Sequence, residues 1–211
     1  MDGRVGPGET LPSERALALE IGVTRPTLRE ALQRLSREGW ITINHGKPTI
    51  VNNYLEKGGL GILGSIIKCR DTIPGELVSH LLEARAAIFP DIAQKAATDH
   101  RQCILEFLEK SSLVADTPFE FASYDCDLQM MMVKKSGNPV FNMIFNDFMP
   151  VCTVLGEKYF FSANARKTSM KYYKALICAL KNNEPDIRPV VRNAMVKACE
   201  IWRLHELKGR I

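Results

Sequence analysis

No apolar run in this sequence approaches the roughly 20 residues needed to span a bilayer, so a membrane-spanning helix is not expected. The opening MDGRVGPGE has no apolar h-region, and export by a signal peptide is not expected either. Six cysteines are present, at positions 69, 103, 126, 152, 178 and 199, with no CxxC pair among them. That excludes a zinc knuckle or a thioredoxin-type motif and points to reduced, core-packed thiols in a cytoplasmic protein. Only four histidines occur (45, 80, 100 and 205), none grouped, so the convergent imidazoles of a metal site are not expected. G-x-S-x-G, P-loop and HExxH motifs are absent, and His80 with Glu83 reads as a surface pair rather than an acid–base pair. The sequence therefore offers no catalytic residues and no cofactor motif, and an enzyme is not expected.

What remains is a chain of 211 residues, 45% hydrophobic and 25% charged, which excludes wholesale disorder and allows one domain or two small ones. Its texture changes near residue 56. Turn-formers and basic residues dominate the first part; long apolar-periodic stretches with most of the Met, Cys and Phe follow. We expect a small module at 1–53, a linker at 54–59 and an all-α domain at 60–211.

In LPSERALALEIG, Ser13 is a good N-cap with Glu14 in the first turn, Leu17 and Ile21 share a face, and Gly22 suits the stop. Thr24 can cap RPTLREALQRLSREG, in which Pro26 is tolerated in the first turn. Leu28, Leu32 and Leu35 form its stripe, and Gly39 ends it. Two short helices joined by three residues containing Gly predict a helix-turn-helix. Ile41 and Ile43 alternate with Thr42 and Asn44, His45-Gly46-Lys47 can turn, and Thr49-Ile50-Val51 can return, which predicts a hairpin wing.

Beyond residue 59 no strand pair is convincing. About seven helices are predicted, at 59–68, 74–98, 100–115, 118–136, 139–161, 163–182 and 186–207, with Pro90 kinking or breaking the second. The fold class is thus mainly α, a winged helix-turn-helix followed by a helical bundle.

Arg25 and Arg29 lie four apart on the second short helix, with Thr27 beside them and the leucine stripe behind. Arg can donate two hydrogen bonds to guanine in the major groove, and Thr24 and Thr27 can bond phosphates or bases. Residues 24–52 hold five basic side chains (Arg25, Arg29, Arg34, Arg37, Lys47) against two acidic ones, Glu30 and Glu38. This is a focused patch rather than a basic domain. An isolated Arg pair is more often a solvated face; the attached wing tip, His45-Gly46-Lys47, reverses that judgement.

The segments PGETLPSER, GVTRPTLREAL and EGWI resemble the winged helix of GntR-family transcription factors. GWITINHGKPTIVNN and the later SGNP at 136–139 resemble, within that family, its fatty-acid-responsive FadR group. The likeness covers nearly the whole chain, with its most specific part over 7–53. It implies a homodimer on a palindromic double-stranded DNA operator and an α-helical C-terminal domain that binds long-chain acyl-CoA and releases the DNA. It implies repression of fatty acid degradation and activation of unsaturated fatty acid synthesis, with no membrane partner. Carried over residue by residue, Arg15, Thr24, Arg25, Thr27, Arg29, His45, Gly46 and Lys47 stand at operator-contacting positions. Pro26 replaces a Thr. Leu81, Leu82, Arg85 and Trp202 stand at acyl-CoA-binding positions.

Ala194, Met195 and Ala198 stand where the group has Tyr, Gly and Ser, which implies a smaller or repacked pocket. Arg85, Arg166, Lys167 and Lys171 are candidates for the CoA phosphates, Lys171 reading better as solvated surface. Related domains bind a metal through one Asp and three His; Asp125 matches the Asp, but Gln129, Tyr173 and Ala198 occupy the His places, so no metal is expected. Family winged helices begin with a helix before the PGE turn, which this sequence lacks. Partial exposure of Leu11, Leu17, Leu28 and Leu32 and weak DNA binding are expected in consequence. Two competing expectations are a GntR-type repressor sensing another small organic acid, and a DNA-incompetent dimer partner.

Overall fold

The computed structural model describes residues 5–44, 46–69 and 75–206. Among these are nine α-helices, one 3-10 turn and a two-stranded sheet, divided between two compact units, 1–71 and 72–211.

The first unit opens with α1 (Glu14–Ile21), whose N-cap Ser13 accepts a hydrogen bond from the Ala16 N–H at 3.3 Å. Gly22, at φ 77°, ends it in the left-handed region. α2 (Arg25–Glu38) begins at Thr24, whose hydroxyl accepts from the Thr27 N–H at 3.4 Å; Pro26 sits in the first turn, where no helical N–H is needed. The strands β1 (Ile41–Thr42) and β2 (Ile50–Val51) pair antiparallel, Ile41 opposite Val51 and Thr42 opposite Ile50. The PGE segment joins them: Thr10 bridges Ile50, and the Gly8 and Leu11 N–H groups donate to Val51 and Thr49.

Burial inside this unit differs from the sequence expectation. Leu28 and Leu32 are buried, because α2 packs on both α1 and β1; Leu11 and Leu17 are half-buried. On α1 the exposed large apolar residues are instead Leu19 (85%) and Ile21 (57%), and Ala18 is the residue that α1 buries. Leu35 is also largely outside the stripe it was read into.

The segment 54–59, expected as a linker, holds a helical turn, α3 (Tyr54–Lys57), capped by Asn53. The following helix, α4 (Ile62–Cys69), belongs to the first unit. Its Ser65 hydroxyl donates to Glu38 Oε2 at 2.8 Å, the oxygen that also accepts from Trp40 Nε1 at 3.0 Å. Gly39 makes this junction possible. It lies at φ 90°, and a Cβ there would meet the Lys57 carbonyl oxygen at 2.6 Å and the Gly58 Cα at 2.9 Å.

The second unit is all helix: α5 (Gly75–Glu109), a 3-10 turn (Lys110–Leu113), α6 (Pro118–Lys135), α7 (Pro139–Phe160), α8 (Ala163–Lys181) and α9 (Arg188–Glu206). α5 is the central element, touching α6, α8 and α9. Pro90 does not break it. The only non-helical residue inside is His100 (φ −131°), at the boundary predicted between the second and third helices. Phe89, Ile92, Ala93, Ala96 and Ala97 around Pro90 are completely buried, and that packing holds the helix through the proline.

The SGNP motif is a joint. Ser136 Oγ donates to the Val133 carbonyl at 2.7 Å, Gly137 turns at φ 69°, and Asn138 accepts from the Val140 N–H at 3.0 Å to start α7. Arg101 holds the turn between α8 and α9, donating to the Leu180 and Glu184 carbonyls and to Asn183 Oδ1.

Candidate functional sites: a basic helix face and an internal pocket

The operator-facing residues expected from sequence lie on the surface of the first unit. Arg15 on α1 is exposed, as are Thr24, Arg25, Thr27 and Arg29 around the start of α2. The Thr24 and Thr27 hydroxyls share a hydrogen bond of 2.9 Å. Arg29 donates to Glu14 Oε2 from Nη2 at 2.7 Å and from Nε at 3.2 Å. That hydrogen bond, with the charges of Arg29 and Arg25, holds the Glu14 carboxyl below its usual range and raises the Arg29 guanidinium. The charge of Arg29 is therefore partly engaged, whereas Arg15 and Arg25 make no side-chain hydrogen bond among the described residues. Gly46 (φ 72°) and Lys47 are exposed in the wing loop; His45 lies outside the described residues.

The second unit contains a pocket of about 880 Å³ of atom-free space, its open mouth included. Leu81, Leu82, Arg85 and Trp202 all line it. Every long helix of the unit contributes a stripe at helical spacing: 78, 81, 82 and 85 from α5; 122, 125, 126 and 129 from α6; 148, 151, 152, 155, 156, 159 and 160 from α7; 168, 169 and 172 from α8; 194, 195, 198 and 202 from α9. The lining is mostly apolar. Ala194 and Ala198 leave room along α9, while Met195, 4% exposed, fills it.

At the polar end, Asp125 accepts from Gln129 Nε2 at 2.6 Å and from the Tyr173 hydroxyl at 2.9 Å. Three of the four positions matched to metal-ligand places, Asp125, Gln129 and Tyr173, are thus hydrogen-bonded together, and the fourth, Ala198, lines the pocket. Burial pushes the Asp125 carboxyl up, opposed by the positive charge of Arg85 and by those two hydrogen bonds. Burial also raises Tyr159 and Tyr172, so both stay neutral hydroxyl donors. Four buried polar atoms on this wall have no partner in the protein: Arg85 Nε, Gln129 Oε1, Tyr172 Oη and Trp202 Nε1.

Two readings change. Arg166 is committed elsewhere, to Asp116 at 2.5 Å and the Phe160 carbonyl at 2.6 Å, and is removed from the phosphate candidates. Gln129 and Tyr172 were missed as pocket residues. The spacing Asp125-x-x-x-Gln129 marks a shared face, but nothing in sequence shows that this face meets Tyr172 on α8.

A winged helix-turn-helix with an exposed basic start to its second helix defines a DNA-binding regulator. The comparisons specify it further. Residues 1–51 match the model for bacterial regulatory proteins of the gntR family, and residues 52–211 match the FadR C-terminal domain; the chain belongs to this family. A Shewanella pealeana protein named fatty acid metabolism regulator protein is 40% identical over 93% of this chain and 83% of its own length. A Proteus mirabilis protein of the same name is 37% identical over 99% of this chain and 87% of its own. The solved structure of Lar, described as controlling the expression of the Listeria monocytogenes agr system, shares the fold, with a TM-score of 0.61 at 17% identity. It covers 96% of this chain and 90% of that one. Among the described residues, no helix is long and apolar enough to cross a membrane.

Proposed function

We propose that this chain is a DNA-binding transcription regulator of fatty acid metabolism whose helical unit takes a long-chain acyl-CoA, uptake of which weakens operator binding. The observation that carries the effector reading is the wall of the pocket. Three unpaired donors, Arg85 Nε, Tyr172 Oη and Trp202 Nε1, and one unpaired acceptor, Gln129 Oε1, face a largely apolar space. An unsatisfied buried polar group costs about 1–3 kcal/mol, so this wall favours an occupant with a polar carbonyl end and an apolar tail.

Arg15, Arg25 and Lys47 would meet phosphates or guanines, and Thr24 and Thr27 the adjoining backbone. The protein acts as a homodimer in the cytoplasm on a palindromic operator. Acyl-CoA and operator weaken each other by the same factor, because the coupling is reciprocal. A small organic acid is the second reading, favoured by Met195 occupying space on α9.

The test is fluorescence anisotropy of the 211-residue protein on a labelled palindromic operator, with and without oleoyl-CoA. Binding reversed by oleoyl-CoA supports the proposal. Binding that only short acids reverse selects the second reading. Absence of any operator shift overturns the DNA-binding assignment.

A further inference from the structure

The pocket of the helical unit also brings two thiols face to face. α6 and α7 pack closely where Gly156 meets Ala122: a Cβ on Gly156 would lie 3.0 Å from the Ala122 Cβ. One helical turn onward in α6 stands Cys126, and one turn back in α7 stands Cys152. For an antiparallel pair, the register that joins 122 to 156 also joins 126 to 152. Both cysteines are free thiols and both line the pocket, Cys126 buried and Cys152 half-buried. Each thiol lies within electrostatic reach of the other and of Arg85. Far apart in sequence and in no CxxC motif, they become neighbours only through the packing of these helices.

We propose that Cys126 and Cys152 form an oxidisable dithiol, a modification site at which a hydroperoxide closes a disulfide across the effector pocket. The neighbouring Cys126 thiol and the charge of Arg85 favour the thiolate at Cys152, while Cys126 keeps its proton. Cys152 sulfur attacks the peroxide, the O–O bond breaks, and the alcohol leaves with a proton equivalent to the one Cys152 gave up. The sulfenic acid so formed is attacked by Cys126 sulfur. The S–O bond breaks, and hydroxide leaves with the Cys126 proton as water. Two thiols and one hydroperoxide give one disulfide, one alcohol and one water; the sulfurs lose two electrons and the O–O bond gains them.

Closing the bond requires the sulfurs to approach to about 2.05 Å. That draws α6 toward α7 on the pocket wall and narrows the space for an acyl tail. A bound tail, conversely, shields the thiols. This gating step rests on the reading of the pocket as the acyl-CoA site; the thiol chemistry does not.

The experiment exposes the reduced full-length protein to hydrogen peroxide, with and without oleoyl-CoA. Free thiols are then blocked, disulfides mapped by non-reducing peptide mass analysis, and oleoyl-CoA affinity measured before and after. The expected result is a Cys126–Cys152 link, reversed by dithiothreitol, slowed by oleoyl-CoA, and accompanied by roughly tenfold weaker oleoyl-CoA binding. Cys126→Ser and Cys152→Ser, each checked for folding by circular dichroism, lose both the link and the peroxide effect on affinity. Cys178→Ser keeps both. Oxidation confined to other cysteines, or no disulfide at all, overturns the proposal. A link that leaves oleoyl-CoA affinity unchanged overturns the gating. A link in a protein that never binds oleoyl-CoA supports the thiol site and overturns the acyl-CoA reading instead.

Discussion

The first unit holds its polar chemistry outside, in solvent, and the second holds it inside. In the first, Arg15, Arg25 and Lys47 stand in solvent with no side-chain hydrogen bond among the described residues, and the Arg29–Glu14 pair is exposed as well. In the second, Arg85, Asp125, Gln129 and Tyr172 are drawn inside, and several of their polar atoms are unmatched. Charge in water is cheap to hold and is screened by salt; charge in a cavity is costly and waits for a partner. A surface built the first way suits a polyanion that arrives with its own counterions. One built the second way suits a ligand that is itself mostly apolar.

The sharpest separation between the units should come from the core. Phe89 is fully buried and stacks on Phe145 at 5.8 Å between centroids. Phe89→Ala should cost about 3–5 kcal/mol in the helical unit, through lost burial and the cavity left behind. Urea unfolding followed by circular dichroism reads this directly; a change under 1 kcal/mol would contradict the assigned packing.

A surface change should behave in the opposite way. Arg25→Ala is expected to remove about 1–3 kcal/mol of operator affinity while leaving the unfolding midpoint unmoved. Anisotropy at several salt concentrations would test both halves. An unchanged operator affinity would show that the basic face is only a solvated helix surface.

The smallest effect concerns pH. The folded chain holds the Asp125 proton to a higher pH than the unfolded chain does, because burial outweighs the help from Arg85, Tyr173 and Gln129. Stability from this group is therefore present below the unfolded carboxylate value, near 3.9, and is lost as pH rises through the folded value. Asp125→Asn removes that loss, so its melting temperature relative to the natural chain should climb between pH 4 and pH 7. A flat difference would place the carboxylate in a better-solvated setting.

Local chemistry made much of the fold legible. Ser13, Thr24, Thr117-Pro118 and Asn138-Pro139 each mark a helix start that the structure uses, through side-chain caps or a first-turn proline. Where sequence misled, the cause was tertiary. Pro90 carries the strongest breaking signal in α5 yet is held by the buried residues around it, and Ile21 follows the apolar period of α1 yet faces solvent. The PGE segment reads as a turn but pairs with β2, a bond between distant stretches that no local period announces. The pocket was visible at positions carried over by resemblance, Leu81, Leu82, Arg85 and Trp202 with Ala194, Met195 and Ala198 on α9. Its remaining wall comes from five helices, and which stripes converge depends on how they pack.

Gly39 ties recognition to folding in a way that would be seen by genetics rather than biophysics. Any side chain there must displace the backbone at Lys57 and Gly58, prying the end of α2 from the strand of chain beneath it. A missense change at this one position would act like the loss of every operator-facing arginine at once, while the helical unit still accumulates in the cell. A screen for operator-blind alleles should therefore recover Gly39 alongside the basic face, although it carries no side chain to offer DNA.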